Sequence, residues 1–154
     1  MKYALREAGK AFDENEVPVG CVIVFENRII AKAHNQSEML NDPTAHAEMI
    51  ALTSAFDALQ NKQLKGCSMY VTLEPCTMCS GALVLSRIEN IYFGAYDLKS
   101  GACGSVLNIT GNKSLNHKPN VYGGILDTEC SLLLKTFFEM KRKEENGLKN
   151  HSVN

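Results

Sequence analysis

An α/β fold, with a mixed five-stranded sheet covered by helices on both faces, is what this sequence predicts from three observations. Short runs rich in Val, Ile, Tyr and Phe alternate with longer runs whose apolar residues recur at helical spacing. The first two strand-like runs are joined only by Glu26-Asn27, which makes a hairpin, whereas the later ones are separated by helical stretches, which makes parallel crossovers. At 154 residues and 45% hydrophobic, the chain suits one domain with a proper core and is too short for two ordinary ones.

Each element follows in order. Met1, Ala4, Leu5, Ala8, Ala11 and Phe12 form one face of an amphipathic first helix, unlike the apolar stretch of a signal peptide, and Asp13 and Glu14 argue against an acid-poor transit peptide. Residues 18–25 read as a buried strand and residues 28–33 as its hairpin partner. The stretch 35–44 is polar and irregular. His46 then opens a helix in which Met49, Leu52, Phe56 and Leu59 recur on one side. A third strand, 68–72, feeds a helix over 75–86, and residues 90–95 give the fourth strand. From 97 to 120 the chain is rich in Gly, Ser, Asn and Lys and is long for a plain connection, which makes it either a surface loop or a functional one. Val121-Tyr122 makes a short fifth strand. Leu126, Cys130, Leu133, Leu134 and Phe137 mark the buried face of a last helix, and the polar residues after Glu144 read as a frayed tail. The expected organisation is one domain over 1–145 and a polar tail over 146–154.

Composition excludes several classes of function. No apolar run is long enough to cross a membrane, so the cytoplasm is the expected location. A formal net charge of −1 does not advertise a nucleic-acid partner, and Lys141-Arg142-Lys143 and Lys99 read first as solvated charge. Six cysteines in a chain of this size without a signal peptide do not form a disulfide framework. Cys21, Cys67, Cys103 and Cys130 are expected reduced, with Cys21 and Cys130 packed in the core.

The chemistry lies in His46-Ala47-Glu48 paired with Pro75-Cys76-Thr77-Met78-Cys79. Together they offer three soft metal ligands, His46, Cys76 and Cys79, and one spare carboxylate, Glu48. Three protein ligands leave one tetrahedral position of a zinc open, as in a catalytic site that activates water, and Glu48 then reads as the acid/base. Pro75 suits a first helical turn, so Cys76 and Cys79 at i and i+3 should share one face at a helix N-terminus, where the dipole favours thiolate. His46 and Glu48 would point roughly 200° apart in an ideal helix, so their convergence requires His46 to lie at the helix end. The competing readings are a structural zinc completed by His34, Cys103 or His117, and a redox dithiol that leaves His46 and Glu48 without a use. The H-x-E and P-C-x-x-C pattern is the known signature of zinc nucleobase deaminases.

A longer string of segments resembles one family closely, the bacterial-type tRNA-specific adenosine deaminases of the cytidine and deoxycytidylate deaminase superfamily. It comprises Glu16-Val17-Pro18-Val19-Gly20, Asp42-Pro43-Thr44-Ala45-His46-Ala47-Glu48, Thr72-Leu73-Glu74-Pro75-Cys76-Thr77-Met78-Cys79, Ser86-Arg87-Ile88 and Phe93-Gly94-Ala95. It continues in Asp97, Lys99, Gly101-Ala102, Gly104-Ser105 and Asn116-His117. The resemblance implies a three-layer α/β/α, cytidine-deaminase-like fold, a Zn2+ cofactor, a homodimer with active sites near the subunit boundary, and a tRNA anticodon loop as substrate partner. The implied reaction converts wobble adenosine to inosine, with water attacking adenine C6 while Glu48 handles the protons. Asn35 matches the family's nucleoside-pocket asparagine, though a turn residue ending the second strand is the plainer reading. Ala47, Asp97, Lys99 and Phe138 complete the expected substrate contacts, with core packing as the alternative for Phe138. His34 stands where the family often has Trp, and Tyr96 where it often has Arg. The same zinc chemistry would also serve a deaminase of a free base or nucleotide such as guanine, cytidine or deoxycytidylate, and a noncatalytic zinc-stabilised module is the reading from another class.

Overall fold

The structure is a computed structural model that describes residues 1–151, with side-chain surroundings described through residue 147. Its elements are α1 (Lys2–Asp13), β1 (Gly20–Phe25), β2 (Arg28–His34), α2 (Ala47–Leu59), β3 (Ser68–Leu73), α3 (Thr77–Leu85), β4 (Asn90–Ala95), β5 (Asn120–Tyr122) and α4 (Asp127–His151). The sheet order is β2-β1-β3-β4-β5. β1 runs antiparallel to β2 and β3, whereas β3, β4 and β5 are parallel. This is the mixed five-stranded sheet that the alternation predicts.

The hairpin closes through Glu26 and Asn27, both at positive φ (48° and 60°), the conformation whose twist suits a two-residue hairpin. Alternation along β1 assigns the two faces. Cys21 and Ile23 join α2 residues Ala47, Ala51, Leu52 and Ala55 in the main core, together with Met69, Val71, Ile91 and Phe93 from the central strands. Gly20 faces α1. A Cβ there would lie 2.1 Å from the Ala4 carbonyl oxygen, so only glycine lets α1 lie this close. Ala4, Ala8 and Ala11 are completely buried in that contact. Further along the same face, Gly94 meets Cys130 of α4, where a Cβ would lie 2.3 Å from the sulfur. Helices therefore cover both faces, α1 with α4 and α2 with α3, giving three layers.

Two boundaries differ from expectation in ways that matter. α3 begins at Thr77 with Cys76 as its N-cap, not at Pro75. The reason is tertiary: Ala102 N–H donates to Pro75 O at 2.9 Å, and Cys76 bridges Gly101, so this pair is held in extended pairing with the long loop. That loop is itself built of turns and a second isolated bridge, Cys103 to Asn108. α4 continues to His151, through residues expected to be a frayed tail, while residues 152–154 of that expected tail lie outside the described residues.

Candidate active site

The C-terminal ends of β3 and β4 open onto the N-termini of α2 and α3, where a parallel strand pair and two helix dipoles meet. His46 is the N-cap of α2, with extended backbone (φ −73°, ψ 151°), and Glu48 lies in the first turn. Standing outside the helix frees the imidazole from the wide separation of an ideal helix. Cys76 caps α3 (φ −72°, ψ 178°), and Cys79 follows one turn later, completely buried. His46 Nδ1 lies 3.6 Å from both Sγ atoms. The three donor atoms all fall within 4.8 Å of one another.

These distances test the fit of a zinc ion. Tetrahedral bonds of about 2.3 Å to sulfur and about 2.0 Å to nitrogen put N and S about 3.5 Å apart, close to the spacing found. The electrostatics agree. Left to each other, the thiols settle unequally: the Cys79 thiol's hydrogen bond, the largest cause, pulls Cys76 down to about 4, while Cys79 is pushed up by the Cys76 sulfur and by burial. A divalent cation resolves that conflict by accepting both as thiolates. The donor set therefore fits zinc with one position to spare.

No fourth ligand joins the group among the described residues. His34 binds Glu14 through Nε2 at 2.8 Å, His117 Nε2 lies 2.5 Å from Ile88 O, and Cys103 Sγ lies 3.4 Å from Ser80 Oγ. Glu48 is 4% exposed, and burial pushes its carboxyl up from the ordinary carboxylate range. It lines, with His46 and Cys76, a cavity whose other walls include Val17, Val19, Asn35, Ser37, Leu73, Glu74, Asp97 and Ser100. A buried carboxylate, a zinc-fitting triad and an enclosing cavity can activate water against a planar base.

Comparison with known proteins agrees with this chemistry. Residues 1–95 match the cytidine and deoxycytidylate deaminase zinc-binding region. The tRNA-specific adenosine deaminase of Aquifex aeolicus is 54% identical over 142 residues, covering 92% of this chain and 93% of the relative. That of Bacillus subtilis is 45% identical over 153 residues, covering 99% and 95%. The chain belongs to the family of tRNA-specific adenosine deaminases. A solved structure from studies of A-to-I editing by tRNA:A34 deaminases at the wobble position of transfer RNA superposes with a TM-score of 0.83 at 42% identity, covering 86% of this chain and 96% of that one. The zinc cofactor and the cytidine-deaminase-like fold expected from sequence hold for this chain.

The remaining expected contacts fall in different places. Asn35 is 5% exposed on the cavity wall; its Nδ2 donates to Glu16 Oε2 at 3.0 Å and Ser37 Oγ at 2.9 Å. Both amide hydrogens are thus committed, and the carbonyl oxygen is the group it can offer a ligand. Asp97 also lines the cavity, but its carboxylate accepts from Lys99 N at 2.9 Å, Ser100 N at 3.1 Å and Ser100 Oγ at 2.5 Å, shaping a tight turn. Lys99 and Phe138 sit apart from the cavity, in an adjoining groove with Tyr96 and Leu98. Phe138 is 44% exposed, packed edge-on against Phe137 at 5.5 Å, so it is neither core nor free. Ala47 is completely buried in the main core and is not among the residues that line the cavity. Sequence reasoning assigned no role to Glu16, Ser37, Glu74 or Ser100. Glu16 and Glu74 stand inside the quoted segments, yet nothing local tells that their carboxylates turn inward.

Proposed function

We propose that this chain hydrolyses adenosine to inosine at the wobble position of a tRNA anticodon. The observation that carries the reading is Glu48, buried beside a zinc-fitting donor triad in a cavity, in a chain about half identical to enzymes of that name. His46, Cys76 and Cys79 hold the zinc. Bound zinc supplies the Lewis acidity that brings the ionisation of water near neutral pH. Glu48 accepts a proton from the water attacking adenine C6 and delivers it to ring N1. It then hands the second proton to the exocyclic amine, which leaves as ammonia, so water is consumed and inosine formed. The raised affinity of Glu48 for protons, caused by burial, suits a group that must hold one between these steps.

Asn35 accepts a hydrogen bond from the nucleoside through its carbonyl oxygen, and the groove of Tyr96, Lys99 and Phe138 receives flanking nucleotides. An anticodon loop presents bases already partly splayed, which lowers the expense of bringing adenine into a buried site. The enzyme acts as a homodimer. Leu85, 82% exposed beside Met49, Leu52, Phe56 and Ala82 of the α2–α3 layer, is the apolar surface that a second copy would cover. The cytoplasm is its place, since its relatives are named for bacterial tRNA enzymes. No helix among the described residues is long and apolar enough to cross a membrane.

Inosine mapping on an anticodon stem-loop, beside ammonia release from free adenosine, cytidine and guanine, decides the substrate. Faster turnover of a free base or nucleoside would replace the tRNA assignment with the free-substrate one.

A further inference from the structure

Glu74 directly follows β3, just before the turn that carries Cys76, and it is 2% exposed. A buried carboxylate needs donors for its lone pairs, and here every side-chain partner comes from one loop. Oε1 accepts from Cys103 N at 3.0 Å and Ser105 N at 3.1 Å; Oε2 accepts from Asp97 N at 3.1 Å and from the Ser105 hydroxyl. Gly101 lets the loop close over it, because a Cβ there would lie 2.5 Å from the Glu74 carboxyl. Asp97 in turn uses its own carboxylate to fold residues 97–100 into the turn whose Ser100 reaches the cavity.

We infer that Glu74 is a positioning residue that sets the 97–100 turn, and so the face that meets RNA, against the metal-binding turn. Its carboxylate stands on the cavity wall, but both oxygens are committed to the loop. This role rests on the tRNA reading for its consequence but not for its geometry, which can be measured without substrate. Packing alone would be served by a residue of similar shape. Four donors aimed at two oxygens are served only by an acceptor, and Glu74→Gln replaces one acceptor oxygen with a donor facing donors.

The test compares wild type, Glu74→Gln, Asp97→Ala and the double variant, each assayed for zinc content, amide hydrogen exchange, and kcat and KM on an anticodon stem-loop. In Glu74→Gln, zinc should stay at the wild-type level, while exchange at Asp97, Cys103 and Ser105 speeds up by roughly tenfold or more. KM should rise about tenfold with kcat changed by no more than about twofold, and the double variant should be no worse than the poorer single one, as for residues acting in one chain of contacts. Unchanged exchange, loss of zinc, a fall in kcat at constant KM, or additive losses would each overturn the inference. Should Glu74→Gln fail to fold, Ser105→Ala, which removes a single donor, carries the same exchange and KM readings with a smaller shift in the same direction. A stem-loop inert to the wild type would sink the tRNA reading, and exchange and zinc content would still decide the role of Glu74.

Discussion

Two walls of one cavity are built by opposite strategies. The metal wall is local: His46 and Glu48 sit two positions apart, Cys76 and Cys79 three apart, and each pair is presented by a helix N-terminus. The substrate wall is assembled from a distance. Glu16 reaches Asn35, Ser37 and the Met39 amide, the last at 2.7 Å, and so ties down residues 35–39 from across the sheet edge. Glu74 ties down residues 97–105 in the same manner. The difference teaches that the metal-binding wall can be written in two short motifs, whereas the shape of the rest of the cavity depends on buried carboxylates holding loops far along the chain.

The sharpest way to break this comparison is at the metal wall, where the largest effects belong. Cys79→Ala should lose zinc and activity together, because a triad reduced to two donors no longer holds the ion. Glu48→Ala should keep zinc and lose inosine formation by about 10²-fold or more, since only proton transfer is removed. Metal analysis of the purified variants separates them. Zinc lost equally from the Glu48 variant would make that carboxylate a ligand, and the two walls would no longer differ in kind.

How much of this was legible in the sequence follows from the same contrast. Period and motif spacing are local, so the five strands, the four helices and the set His46, Glu48, Cys76 and Cys79 could be read directly. The start of α3 could not, because Pro75 and Cys76 are drawn into pairing with Gly101 and Ala102 by contacts that no local preference reveals. Nor could the inward turn of Glu16 and Glu74, since a glutamate in a sequence is normally a solvated charge. Asn35 was legible only through resemblance. Its plainer reading, a residue closing β2, matches its backbone, whose N–H donates to Val19 O at 2.9 Å, while the residue also lines the cavity.

A middle-sized effect should come from the Asn35 and Glu16 pair. Asn35→Ala removes the acceptor offered to the nucleoside and strands Glu16 without one of its donors, a loss of about 1 to 3 kcal/mol in kcat/KM with zinc unchanged. Glu16→Gln should weaken the same parameter because a loop donor then faces a donor. If the substrate wall works as a held unit, the two substitutions combined should fall short of the sum by at least about 0.5 kcal/mol. Additive losses on stem-loop substrate would show instead that Asn35 acts alone, and the wall would be a set of independent contacts.

The smallest effect belongs to the groove beyond the cavity. Lys99 has an exposed side chain, and its backbone N–H donates to Asp97 Oδ1 at 2.9 Å. If it meets RNA as proposed, it does so as a charge near phosphate, screened by salt and uniform across sequences. Lys99→Ala should raise KM for the stem-loop by about threefold at low salt, and should reduce the slope of log affinity against log salt by about one. The parent slope should itself be shallow, because a chain of net charge −1 with tyrosine at position 96 relies on shape and stacking more than on phosphate neutralisation. Tyr96→Ala should then weaken binding with the slope unchanged. Rates at two salt concentrations for both variants check this, and a steep parent slope that Lys99→Ala leaves intact would move the phosphate contacts to another surface of the molecule.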